Sequence, residues 1–245
     1  MTRLTTCADA EGASRRVASE SARLLEGALH ERGVAHLALS GGSTPARAYE
    51  LLAREIDSWE RIEIWFADER CVPPDDDESN YKLARETLFA GAAGLADERV
   101  HRMEGELGPL RAARRYSRAV RAGVAPAPRS RVPSLDAIVL GIGPDGHVAS
   151  LFPGAATLRA SARSVCLGVR NSPKPPPERV TLSLPVLRAA RRCVMLALGA
   201  EKATAVAAML ARPTRHVPAS LLLRERLSVI VDDAASPSAR PPAGD

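Results

Sequence analysis

The chain is 245 residues long, 45% hydrophobic and 26% charged, enough for one globular domain with a buried core. Aromatic residues make up only 3%, so Ala, Val and Leu must fill that core, while the net charge of +5 leaves nucleic acid, an acidic membrane and an anionic metabolite open as partners. No apolar run approaches the roughly 20 residues that a membrane span needs, and the chain opens on no secretion signal.

Residues 11–32 carry Val17, Ser21, Leu24, Leu25, Ala28 and Leu29 at helical spacing, and Gly33 ends that helix. The run 34–40 reads as a short strand that breaks into Gly41-Gly42-Ser43-Thr44-Pro45. There Thr44 suits an N-cap and Pro45 a first helical residue, of a helix running to about Ile56. Strand 61–67 ends at Asp68-Glu69-Arg70, and an acidic loop (73–79) and a helix (80–89) follow. A helical stretch over 106–122 carries Arg111, Arg114, Arg115, Arg118 and Arg121. These arginines are expected to scatter round the helix instead of forming one stripe, so no nucleic-acid partner is inferred from them.

A proline-rich connection (126–133) leads to strand 135–142. Strands 165–169, 180–184 and 193–198 alternate with a proline-dense loop (171–178) and helices 185–191 and 200–211. Strand 227–231 closes the series, and the tail 236–245 reads as disordered. This alternation implies a single α/β domain over 1–235, with a doubly wound, mostly parallel, Rossmann-like sheet and helices on both faces. In such sheets ligands bind beyond the carboxyl ends of the strands, where the polar clusters 41–45, 68–70 and 143–147 all fall.

Gly41, Gly42, Ser43 and Thr44 join a strand to a helix start, a setting in which backbone N–H groups receive an anion. A plain capped turn has the same appearance. Asp68-Glu69-Arg70 is either an exposed loop start or an Arg70 that grips an anion or carbonyl oxygen, steadied by a carboxylate. Gly141, Gly143 and Gly146 match G-x-G-x-x-G, but Gly146 to Pro177 contains no Asp or Glu to hold a ribose hydroxyl, so the dinucleotide reading fails. The same turn sets Asp145 two residues before His147, a histidine able to take a proton from water with a carboxylate to fix its tautomer. Arg179 and Lys202 lie beside strand ends or helix starts, as surface charge or as phosphate ligands.

Cys7, Cys71, Cys166 and Cys193 form no C-x-x-C pair, and the five histidines show no zinc spacing. A reduced, cytoplasmic protein without a metal site is the expectation.

Several segments recur in one order: Leu39–Pro45, Asp68–Pro73 with Ser79-Asn80, Gly143–Pro153, Arg179–Leu182, Glu201–Ala203 and Pro218–Ser220. Together they resemble the glucosamine-6-phosphate isomerase/6-phosphogluconolactonase family, and its lactonases more than its deaminases. The resemblance implies hydrolysis of 6-phospho-D-glucono-1,5-lactone to 6-phosphogluconate in the oxidative pentose phosphate pathway, with no cofactor. It implies His147 as general base, Asp145 orienting it, and Arg70 meeting the carbonyl charge or the phosphate. It further implies Gly41, Gly42, Ser43, Thr44, Asp68, Arg179 and Lys202 around the substrate and its phosphate.

The deaminases carry a glutamate after the histidine where this chain has Phe152, which cannot move protons. A sugar-phosphate sensor of the same fold would bring a DNA-binding helix-turn-helix, and the first 33 residues supply one amphipathic helix. The expected partner is therefore a small phosphosugar lactone, with no nucleic acid and no membrane, and the chain itself is expected to be a monomer or weak homo-oligomer.

Overall fold

In the computed structural model, residues 2–237 are described. Six strands form one sheet in the order β1-β9-β8-β5-β2-β3, with every neighbouring pair parallel: β1 (Arg3–Cys7), β2 (Ala35–Leu39), β3 (Ile62–Phe66), β5 (Ala137–Gly141), β8 (Arg192–Ala197) and β9 (Leu227–Asp232). The inner strands read as near-continuous apolar runs because both faces are covered, as a parallel sheet requires. Thus Ala137, Ile138 and Val139 of β5 and Val229, Ile230 and Val231 of β9 are fully buried.

Helix α1 (Ala10–Arg32) packs across this sheet and against α2 (Ala46–Glu55). The Asp9 carboxylate accepts the Gly12 N–H at 2.7 Å to start α1, and Gly33, at φ +75°, ends it. Helix α4 (Pro109–Gly123) lays Tyr116 edge-on against Trp65 of β3. The doubly wound, mostly parallel architecture expected from the alternation of elements is therefore present. No described helix is long and apolar enough to cross a membrane.

Four details differ from the sequence reading. The first is β1, a strand the periodicity did not reveal, because it is a polar edge strand paired on one side only. The second is a separate three-stranded antiparallel sheet, ordered β4 (Asp68–Arg70), β7 (Arg179–Leu182) and β6 (Cys166–Val169). Strand alternation alone places all strands in one sheet, whereas here Asp68-Glu69-Arg70 is a strand and not a loop start.

Third, α2 begins at Ala46, and no side chain caps it. A turn at Thr44-Pro45 precedes it, and the Thr44 hydroxyl is left out of the helix. Fourth, the α4 arginines do lie on one face: Arg111, Arg114, Arg115, Arg118 and Arg121 are all exposed, opposite Ala112, Ala113, Tyr116 and Val120. At 100° per residue the five span about a third of a turn. Within the segment read as a tail, Ser236 is buried, and 238–245 lie outside the described residues.

The topology fixes where a ligand can sit. From β2 the chain moves outward to β3, then crosses back to β5 on the other side of β2. The carboxyl ends of β2 and β5 therefore diverge into loops on opposite sides of a crevice, the switch point of the sheet.

Candidate active site

Behind β2, the Tyr49 hydroxyl donates to the Ser40 carbonyl at 2.7 Å and accepts the Ser40 N–H at 3.0 Å, which pins the strand end. Gly41 follows with Asn80 pressed against it. A Cβ there would lie 1.7 Å from the Asn80 amide oxygen, so glycine serves the close packing of α3 (Asn80–Ala84). Gly42 and Thr44 face the crevice, while Ser43 is exposed and off its walls.

Strand β4 brings Asp68 and Arg70 into the crevice from the small sheet. The Asp68 carboxylate is buried, accepts the Ser150 hydroxyl at 2.6 Å, and lies 3.4 Å from the Asn80 amide nitrogen. Arg70 donates through Nη1 to the Glu78 carbonyl at 2.6 Å and to its carboxylate at 3.2 Å, while its Nε is buried with no partner.

The turn after β5 is closed by Gly143 N–H to the His147 carbonyl, 3.0 Å, and Gly146 N–H to the Gly143 carbonyl, 2.8 Å. Its product is a pair: His147 Nδ1 stands 2.5 Å from Asp145 Oδ1. A Cβ on Gly143 would lie 2.0 Å from that Nδ1 and 2.5 Å from that oxygen, so only glycine leaves room for the pair. The carboxylate keeps the proton on Nδ1. Nε2 has no protein partner among the described residues and is the nitrogen free to take a proton.

Phe152 packs its ring against the imidazole, with centroids 4.7 Å apart. On the same ring sits the Arg179 guanidinium, 5.8 Å from the centroid. Arg179 is itself buried and largely committed: Nε donates to the Pro176 carbonyl at 3.1 Å, and Nη2 to those of Pro175 and Lys174 at 2.8 and 3.4 Å. It braces the proline-dense loop, and that loop delivers Lys174, whose Nζ is 3.5 Å from Asp145 Oδ1.

Together Gly41, Gly42, Thr44, Asp68, Arg70, His147, Lys174, Arg179 and Lys202 line one crevice of about 180 Å³, and Asp145 reaches it through His147. Four of these are cations, so the crevice attracts an anion of small-metabolite size. Burial would raise the Asp145 carboxyl, but the hydrogen bond and charge of His147, with the charge of Lys174, hold it well below the usual carboxylate range. Burial pushes Lys202 down, with Lys174 adding to the effect against the opposing pull of Glu201. Burial and the neighbouring charge of Arg70 likewise lower Arg179. Among the described residues, no group of three or more His, Cys, Asp or Glu is placed to hold a metal ion.

Lys174, Ser150 and Asn80 enter the site although sequence reasoning did not single them out as ligands. For Lys174 a signal existed: the chain has only three lysines, Lys82, Lys174 and Lys202, amid pervasive arginine, and two of them meet here. Where arginine replaces lysine throughout, a retained lysine marks a need for a compact, flexible ammonium. Ser150 and Asn80 gave no such signal, because their roles depend on the distant Asp68.

Residues 8–231 match the family model for glucosamine-6-phosphate isomerases/6-phosphogluconolactonase. The chain is 40% identical to the 6-phosphogluconolactonase of Streptomyces coelicolor over 72% of its own length and 70% of the relative's. It is 37% identical to the probable 6-phosphogluconolactonase of Schizosaccharomyces pombe over 86% of both. Among solved structures, the 6-phosphogluconolactonase of Thermotoga maritima superposes with a TM-score of 0.82 at 29% identity, covering 95% of this chain and 99% of that one. That of Trypanosoma brucei gives 0.82 at 26%, covering 98% and 99%.

Proposed function

Because the chain belongs to the glucosamine-6-phosphate isomerase/6-phosphogluconolactonase family, we propose that its crevice hydrolyses 6-phospho-D-glucono-1,5-lactone by general-base catalysis at His147. The family and its lactonase relatives make it a hydrolase, with lactone opening as its place in the pentose phosphate pathway. The mechanism rests on one observation, the His147–Asp145 pair held at the switch point of the sheet beside four cations.

In this reading His147 Nε2 takes a proton from water as the water oxygen bonds to the lactone carbonyl carbon. The carbonyl oxygen gains negative charge, which a fixed cation stabilises best when it needs no rearrangement. Arg70, anchored on Glu78, fills that role. Collapse of the tetrahedral species breaks the bond from carbon to ring oxygen, and the imidazolium returns its proton to that oxygen. Asp145 keeps Nδ1–H in place throughout and stabilises the transient imidazolium. Lys174 and Lys202, with the Gly42–Thr44 turn, hold the phosphate. Asp68, fixed by Ser150 and Asn80, accepts from a sugar hydroxyl. Phe152, packed against the imidazole, stands where the deaminases carry a glutamate and cannot supply that residue's proton transfers.

His147→Ala should lower kcat/KM for the lactone, above its spontaneous background, by about 10²–10⁴-fold with the fold intact. A folded alanine variant at full rate would remove His147 from the mechanism.

A further inference from the structure

Directly between Asp68 and Arg70, Glu69 faces away from the crevice and is 3% exposed. Its two carboxylate oxygens accept four hydrogen bonds. Oε1 takes the N–H groups of Asn80 at 2.7 Å and of Arg70 at 2.8 Å, and Oε2 takes the N–H of Tyr81 at 2.8 Å and the Ser79 hydroxyl at 3.2 Å. Three of the four come from the start of α3. That segment touches the crevice three times over: Asn80 Nδ2 donates to the Asp68 carbonyl at 2.8 Å, the Asn80 amide lies over Gly41, and Glu78 anchors Arg70.

We propose that Glu69 is the positioning residue of this crevice, its ionised carboxylate clamping residues 79–81 so that Asn80 and Glu78 hold Asp68, the Gly41 turn and Arg70 in register. This assignment rests on the hydrolase reading above. The clamp needs the charged form. A neutral carboxylic acid keeps one good acceptor and turns its other oxygen into a donor facing at least one backbone N–H, which cannot accept, so at least one of the four bonds is lost.

Burial pushes Glu69 up to about 7, against the lowering effect of the Asn80, Arg70 and Tyr81 amides and with a further small rise from Asp68. The charged or titratable groups that face it are Asp68 and Arg70 on its own strand, Cys71 just beyond that strand, Tyr81 on α3, Arg179 on β7 and Tyr116 on α4. Between the ordinary carboxylate range and about 7, the folded chain holds a proton that the unfolded chain has lost, so this group makes stability fall as pH rises through that window. The fold thus carries a clamp that costs stability when it is engaged. Two conditions must therefore be met before the site works: Glu69 must lose its proton to set the segment, and the base His147 must be in its neutral form.

The test is kcat/KM against pH, from 5 to 8.5, for wild type and Glu69→Gln, with amide spectra of ¹⁵N-labelled protein over the same range without substrate. Wild type should show an acid limb steeper than one proton, approaching a slope of two in the logarithmic plot. Glu69→Gln should be at least tenfold slower at its plateau, with a slope of one. The Asn80 and Tyr81 amide signals should titrate with a midpoint near neutrality, and should still do so in His147→Ala. A Glu69→Gln protein with the wild-type slope, whatever its rate, makes Glu69 merely structural and overturns the proposal. If that variant does not fold, the wild-type spectra decide: amide signals that stay still from pH 5 to 8.5 overturn it. Absence of lactone hydrolysis by wild type sinks the hydrolase reading instead, and leaves the spectra to judge the clamp.

Discussion

At the scale of single residues, the site divides into groups that face substrate and groups that hold them. Lys174 belongs with the first. Its ammonium makes one long contact, 3.5 Å to Asp145, and is otherwise free to meet a phosphate. Arg179 belongs mostly with the second, because the carbonyls of residues 174–176 take up its Nε and Nη2. Removing one charge-assisted hydrogen bond costs about 1.5–3 kcal/mol. Lys174→Ala should therefore raise KM by about tenfold or more, with a much smaller change in kcat, in steady-state assays. Arg179→Ala would move both parameters, since the loop that presents Lys174 loses its brace.

At the scale of elements, what matters is the junction between a strand and the turn that follows it. The His147 turn works because Gly143 yields its side-chain space to the His147–Asp145 pair. Gly143→Ala should force that pair apart and cut kcat by about 10²-fold or more, while circular dichroism stays that of the native fold, since the turn lies outside β5. The turn after β2 follows the same logic, with Gly41 giving way to Asn80. From the sequence, Gly41 reads as part of an anion-receiving turn and Gly143 as part of a glycine-rich motif. Only the packed partner shows that each is a space requirement, imposed by a residue 39 positions away for Gly41 and four away for Gly143. The capping of α2 was misread for a related reason, since Thr44-Pro45 has cap chemistry but forms a turn that turns Thr44 toward the crevice.

At the scale of the whole molecule, the parallel sheet is both core and scaffold. Leu140 in β5, a strand that borders the switch point, is 1% exposed and lies three residues before Gly143 of the glycine turn. Leu140→Ala should cost about 2–5 kcal/mol, read as a lower denaturant midpoint, because a rigid core refills such a cavity only in part. The exposed arginine face of α4 lies at this scale as well. Arg115 pairs with Glu104, and the face contributes to the positive charge that the sequence records.

Most of the elements (not β1 or β4), their order and the position of three polar clusters were legible in the chain, because helix and strand periodicities and glycine turns are local properties. So was the His147 turn, since both partners of its pair lie within three residues. The second sheet was not, because β4, β6 and β7 are short strands whose pairing is decided by partners up to 113 positions apart, as in Asp68 with Thr181. For the same reason Ser150 and Asn80 on Asp68, the Glu69 clamp and the commitment of Arg179 to a loop belong to the tertiary structure alone. A sequence specifies which groups can ionise or donate; which of them meet, and with what room, is set by packing across elements that the chain brings together only when it folds.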